Sequence, residues 1–161
     1  RRARAFDMTV LASRGSAVQG DTDPDVHELF PAAELDAMLA RADAVVVCMP
    51  GSAEADGLFD AGRFAAMPAG SIFVNVARGS LVDEGALVDA LISGHLRAAA
   101  LDVAREEPLP SDSPLWDAPR CYISPHSAAS LDGFTERCFA LTADNVTRLL
   151  EGRPLRNTVV A

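Results

Sequence analysis

Apolar residues come in short runs separated by polar, Gly- or Pro-marked stretches, and the period of the runs alternates along the chain. Met8-Thr9-Val10-Leu11-Ala12 is β-branched and ends at the turn cluster Ser13-Arg14-Gly15-Ser16, which predicts a strand over 8–12. Residues 19–24 are polar and read as loop. Over 31–41, Leu35, Met38 and Leu39 recur at helical spacing, with Pro31 suited to the first turn. Residues 44–49 (Ala-Val-Val-Val-Cys-Met) are apolar throughout and stop at Pro50-Gly51, the pattern of a parallel strand buried on both faces. A short helix over 61–67, closed by Pro68, and a strand over 71–76 follow. Residues 83–93 carry Leu87, Leu91 and Ile92 at helical spacing, begin with Asp83-Glu84 and end before Gly94. Strands are predicted over 98–103 and 121–123. A long helix over 131–150 has Phe134, Cys138, Leu141, Asn145 and Leu149 along one stripe and is terminated by Gly152 and Pro154.

Strands alternating with helices of this length imply βαβ crossovers, hence an α/β fold with a doubly wound parallel sheet. Ligands of such sheets bind beyond the carboxyl ends of the strands. The ends carry Ser13 and Arg14; then Met49, Pro50, Gly51 and Ser52; then Ala77-Arg78-Gly79-Ser80; then Asp102; then Ser124-Pro125-His126-Ser127. Glu106-Glu107-Pro108 lies between the last two strands. Taken alone, Arg78 reads equally well as a solvated surface residue, and His126 as a cap for the next helix. Asp102 interrupts an apolar strand, and a buried carboxylate requires a partner or ligand. His27 and His95 look structural, and Cys48 and Cys121 look like core residues. Ser80 lies in Ala-Arg-Gly-Ser-Leu-Val, not in a Gly-x-Ser-x-Gly elbow, so a hydrolase is not indicated.

Composition narrows the classes. The 161 residues carry a net charge of −9, with 49% hydrophobic and 23% charged residues, which argues against nucleic-acid binding and against an anionic-membrane partner. No apolar run approaches the roughly 20 residues of a bilayer span. All 14 basic residues are Arg, a bias with no physical account here. The three cysteines show neither paired nor metal-ligand spacing, so no metal site is expected and a reducing cytoplasm fits best. The opening Arg1-Arg2-Ala3-Arg4-Ala5-Phe6 looks like the basic last turn of a helix.

Three motifs, in order, resemble the signature of the D-isomer-specific 2-hydroxyacid dehydrogenases. They are Asn75-Val76-Ala77-Arg78-Gly79-Ser80-Leu81-Val82-Asp83-Glu84, Ala100-Leu101-Asp102-Val103 followed by Glu107-Pro108-Leu109-Pro110, and Ser124-Pro125-His126. Ser113-Pro114-Leu115-Trp116 matches as well, and the resemblance covers essentially the whole chain. It implies that Arg78, Glu107 and His126 are catalytic. Arg78 would polarise the substrate carbonyl, His126 would serve as acid–base, and Glu107 would orient it, with Glu106 the adjacent alternative. The family pattern places the carboxylate immediately before proline, which selects Glu107. Asp102 would bond the nicotinamide carboxamide. Val76, Ala77, Arg78 and the loop from His126 through Ala128 and Ala129 would line the nicotinamide pocket, and Met49, Pro50 and Gly51 the adenosine side.

Rossmann folds selective for NAD place an acid at the end of the second strand, whereas Arg there accommodates a 2′-phosphate. That position offers Ser13 and Arg14, with Ser16 beyond and no carboxylate. NADP is therefore the expected cofactor and NAD the second option; the bland alternative is that Arg14 is a surface turn residue. Ala104 stands where the family has Phe, Ala55 where it has Thr, and Ser127-Ala128-Ala129 follows His126 in place of the commoner triplet.

The resemblance implies a Rossmann-like sheet entered partway. Arg1–Phe6 would be the tail of the first crossover helix, with the first strand and its Gly-x-Gly-x-x-Gly loop absent at the N-terminus. Residues 1–161 would form a partial dinucleotide-binding domain, with 131–161 its C-terminal helix and tail and the substrate domain not present. Such a piece is expected to bind cofactor poorly and not to turn over alone. The activity expected is that of an oxidoreductase moving a hydride between NADP(H) and a small 2-oxo or D-2-hydroxy acid, most like the glyoxylate/hydroxypyruvate reductase branch. Phosphoglycerate dehydrogenase-like activity is the rival within the class. A non-catalytic dinucleotide-binding or sensing module is the rival outside it. A homodimer is the expected assembly.

Overall fold

The computed structural model describes residues 1–129 and 132–158, and all the strand pairs within them are parallel. β1 (Leu11–Arg14) pairs with β2 (Glu28–Pro31). β3 (Ala44–Val47), β4 (Ser71–Asn75), β5 (Leu96–Leu101) and β6 (Cys121–Ile123) form a second sheet in the order β3-β4-β5-β6. The helices are α1 (Leu35–Leu39), α2 (Ala61–Ala66), α3 (Glu84–Ile92) and α4 (Phe134–Leu150). The α/β parallel sheet expected from the alternation is what the chain forms. Two compact units are present, Arg1–His126 and Ser127–Ala161. None of the described helices is long and apolar enough to cross a membrane.

Local chemistry explains most of the boundaries. Ile72, Phe73 and Val74 are β-branched or aromatic and drive β4, with Phe73 fully buried at its centre. Asp83 caps α3 by accepting from the Ala86 N–H at 3.0 Å, and Asp60 caps α2 by accepting from the Arg63 N–H at 2.9 Å. His95 closes the other end of α2: its Nε2–H is shared between the Phe64 and Met67 carbonyls at 2.9 and 3.0 Å. Phe59, Phe64 and Phe73 pack as a trio in the core, the last two edge-to-face with centroids 5.1 Å apart.

Several expectations are corrected. The first strand lies at Leu11–Arg14, not 8–12, because pairing with β2 supplies its ladder; Ser13 and Arg14 are strand residues opposite Phe30 and Pro31, not a turn. The helix expected over 31–41 is shorter. Pro31 stays extended (ψ 156°) at the end of β2, a 3-10 turn spans Ala32–Glu34, and α1 begins at Leu35. β3 is not buried on both faces: Val45 and Val47 enter the core, while Val46 is 58% exposed and Cys48 is exposed, since the aromatic core covers one face. Asp102 falls just beyond β5. Arg4–Phe6 form a 3-10 turn, closed by Asp7 in the left-handed region, in place of α-helix. In the second unit, α4 begins at Phe134 behind Gly133, and Leu131 lies outside the described residues. None of its residues is buried, and Asn145 leaves the proposed stripe to clamp the tail, bonding both the N–H and the carbonyl of Arg156.

Cys121 behaves as a core thiol, half-buried and with its pKa pushed up to about 11 by desolvation and then by the Glu84 charge. Removing the ring at the centre of the aromatic trio is expected to be severe. Phe73→Ala should cost about 3–5 kcal/mol, read as a drop in urea-unfolding free energy, whereas Phe73→Leu should cost less than half as much.

Candidate active site

The four strands of the second sheet end in a single register row, Val47, Asn75, Leu101 and Ile123, each opposite the next. The exit loops therefore start from one line. The ladder runs one step further: Asp102 N–H donates to Asn75 O and Ser124 N–H to Leu101 O, both at 2.9 Å.

At the β4 exit, buried Asn75 folds the chain back. Its Oδ1 accepts from the Ala77 N–H at 3.0 Å and its Nδ2 donates to Arg78 O at 2.9 Å, an Asx-type turn that fixes the backbone of Arg78. The exposed Arg78 side chain donates to Ala77 O at 2.7 Å. Its stem lies against the β3 exit, where a Cβ on Gly51 would come within 3.2 Å of Arg78 Cγ. Met49 and Pro50 are exposed in that same loop, and Ala77 is buried behind it.

At the β5 exit, Asp102 is 5% exposed, and one carboxylate oxygen accepts from Ser124 Oγ at 2.6 Å. The chain then passes against Gly79 and turns, so that the Ala104 N–H donates to Glu107 Oε1 at 3.0 Å. Glu107 Oε2 reaches His126 Nδ1 at 2.7 Å. It is the Glu107 carboxylate, not that of Glu106, that meets the histidine. His126 holds φ at +51°, a left-handed conformation uncommon for a non-glycine residue, with its N–H on Ser124 O at 3.0 Å. A carboxylate on Nδ1 sets the tautomer, leaving Nε2 as the nitrogen that exchanges protons. The hydrogen bond from His126 holds the Glu107 carboxyl below its ordinary range, helped by the Ala104 N–H and by the charges of His126 and Arg78. Arg78, Glu107 and His126 thus form one electrostatic group.

Ser13 and Arg14 end β1 in the two-stranded sheet, with Arg14 Nη1 3.9 Å from Asp23 Oδ2. Ala128 and Ala129 belong to the second unit. Val76 is exposed at the strand end beside Ala77. Sequence reasoning missed Asn75, Gly79 and Ser124 as builders of the site. An Asn at a strand terminus was a readable turn signal; the other two depend on which loops become neighbours.

The profile of the D-isomer specific 2-hydroxyacid dehydrogenase NAD binding domain matches residues 1–128. A glyoxylate/hydroxypyruvate reductase B from Citrobacter koseri is 40% identical over 138 residues, 84% of this chain and 43% of the relative. A D-3-phosphoglycerate dehydrogenase from Archaeoglobus fulgidus is 35% identical over 99% of this chain and 30% of its own length. Among solved structures, an NADPH-dependent glyoxylate/hydroxypyruvate reductase from Sinorhizobium meliloti, in complex with NADP and sulfate, is similar with a TM-score of 0.87. It is 32% identical over 98% of this chain and 50% of that one. The chain spans less than half the length of the curated relatives named here.

Because the folded-state pKa of Glu107 is lowered, its contribution to stability is present above the ordinary carboxylate range and is lost as pH falls through the lowered value. Urea midpoints of the wild type and Glu107→Gln should differ by a constant amount between about pH 6 and 5, and the difference should shrink progressively as the pH falls below about 4. A gap that holds constant down to pH 3 counts against a lowered Glu107.

Proposed function

The chain belongs to the D-isomer-specific 2-hydroxyacid dehydrogenases, matched through their NAD-binding domain, and on that premise we propose that it carries the reaction centre of an NADP-linked reductase of small 2-oxo acids. The 2.7 Å bond between Glu107 and His126, on the same sheet edge as Arg78, carries the reading. Bound NADPH supplies the hydride for the carbonyl carbon. The remaining requirements are a cation to polarise the carbonyl and hold the carboxylate, and a proton for the oxygen that gains charge.

Arg78 suits the first task, since a guanidinium pairs with both oxygens of a 2-oxo acid and stays charged at any working pH. His126 suits the second. Protonated, it gives up the Nε2 proton to the developing alkoxide, and in the oxidative direction the neutral ring takes that proton back. Glu107, bonded to Nδ1 at 2.7 Å, keeps the ring oriented with Nε2 free for the substrate. The cofactor would lie along the strand exits. Met49 and Val76, 39% and 41% exposed there, offer apolar surface for the two ring systems. Pro50 continues the adenosine side, and Ala77 the nicotinamide side. Asp102, kept in place by Ser124, would accept from the carboxamide. Ser13 and Arg14 would hold the 2′-phosphate, with Asp23 yielding its long 3.9 Å contact to the phosphate. The relative solved with NADP supports this choice.

In this reading residues 1–161 serve as cofactor-binding domain, with 131–161 its C-terminal helix and tail. Assembly as a homodimer rests on the family resemblance, and a cytoplasmic location on the lack of paired or metal-ligand spacing among Cys48, Cys121 and Cys138. The D-3-phosphoglycerate dehydrogenase matched over 99% of this chain and 30% of its own length supports a second reading, oxidation of a substrate of that type.

In the full-length protein, His126→Ala should lower 2-oxo acid turnover by about 10²–10⁴-fold while NADPH binding, followed by fluorescence, persists. Retained turnover would overturn the acid–base assignment. Arg14→Asp should lower kcat/KM for NADPH by about 10–100-fold, the equivalent of one lost charge-assisted bond, and bring NADH level with it or ahead. Assays against glyoxylate, hydroxypyruvate and 3-phosphoglycerate separate the two readings.

A further inference from the structure

Arg105 stands two residues before Glu107 and is held at both ends. Its backbone N–H donates to Glu84 Oε1 at 2.6 Å, at the start of α3. Its guanidinium Nη2 donates to both carboxylate oxygens of Asp56, at 3.1 and 2.8 Å, and Nη1 to Ser80 O at 3.4 Å. The two anchors of the guanidinium belong to different exit loops. Asp56 follows the 3-10 turn Ala53–Ala55 in the loop of Gly51, and Ser80 stands two residues beyond Arg78. The Ser80 carbonyl also accepts from the Gly57 N–H at 2.8 Å, so the three loops meet at this point. On the other side of Arg105, the Ala104 N–H holds Glu107 Oε1.

The Arg105 and Asp56 side chains are each 49% exposed, and ion pairs so open to water contribute little to stability. A long side chain tethered here instead determines position. We propose that Arg105 is a positioning residue: by tying the turn after β5 to Asp56 and to the Ser80 carbonyl, it sets where the Glu107 carboxylate stands beside His126. The inference rests on the acid–base reading of that pair. A displacement of about 1 Å at a reacting group can cost about 10²-fold in rate. Arg105 bonds Glu84, Ser80 and Asp56 rather than Met49, Val76 or Asp102, so cofactor affinity should be spared.

The test compares steady-state kinetics of full-length Arg105→Met, Asp56→Asn and the reversed pair Asp56→Arg/Arg105→Asp with wild type and with His126→Ala. The expected result is a kcat reduced about tenfold or more in Arg105→Met and less in Asp56→Asn. The KM for NADPH stays within about twofold and Tm stays close to wild type in both. The reversed pair should recover most of the loss, because it restores the tie between the loops. Asp56→Asn keeps the Ser80 contact and so guards against a folding failure of Arg105→Met. Wild-type kcat in both single variants, or a matching rise in the KM for NADPH, overturns the positioning role, as does a reversed pair no faster than Arg105→Met. An active Arg105→Met beside an inactive His126→Ala sinks the positioning role alone, whereas an active His126→Ala sinks the underlying reading and this inference with it.

Discussion

The turn after β5 passes so close to Gly79 that a Cβ at that position would stand 1.9 Å from the Ala104 carbonyl carbon and 2.3 Å from the Arg105 nitrogen. Only a residue without a side chain lets these two backbones touch. The contact brings together loops that leave neighbouring strands, one bearing Arg78 and the other Glu107, and nests the second against the first. Arg78-Gly79 is in this sense a single device, in which one residue contributes a cation and the next contributes the absence of a side chain. Asn75 sets the approach from one side by pinning the Arg78 carbonyl, and the Ala104 N–H sets it from the other by holding Glu107.

The charge distribution follows the same economy. The chain is acidic overall, at −9, so its far field does not favour anions. In the proposed reaction, attraction for an anionic substrate would have to be local. Arg78 would supply it close to the Glu107 carboxylate, which its charge helps to keep ionised. The Glu107–His126 pair is half-exposed, and in so wet a setting geometry, more than field strength, decides what it can do.

Residue types and chain order made much of this legible. The β-branched centre of β4, the Asp83 cap and the run of small residues after each strand are local signals, and the structure keeps them. β2 was not legible, because Leu29 and Phe30 alone, between Glu28 and Pro31, are too short to display a period. The uniformly apolar run through Val46 and Cys48 misled, since periodicity cannot report how many faces of a strand are covered. In the site, the preference for Glu107 over Glu106 came from the proline that follows it and not from any spacing rule. What Ser124 and Arg105 do was not legible for another reason. Their roles arise from the register that aligns Asn75, Leu101 and Ile123 at one edge, and that register is a property of the assembled sheet.

The all-parallel pairing also bears on how the chain reaches this state. None of the described ladders can close by a hairpin. β3 meets β4 and β4 meets β5 only after an intervening helix and its loops have been folded back, so loop-closure entropy is spent before any inter-strand bond forms. Local structure such as the capped turns of α2 and α3 has to persist until the crossovers close. The apolar run of β3, whose Val46 remains largely exposed even in the finished sheet, waits longest for β4, across residues 48–70. That crossover closes the longest loop of the second sheet, and the exposed Val46 leaves β3 with apolar surface open to contact between partly folded copies.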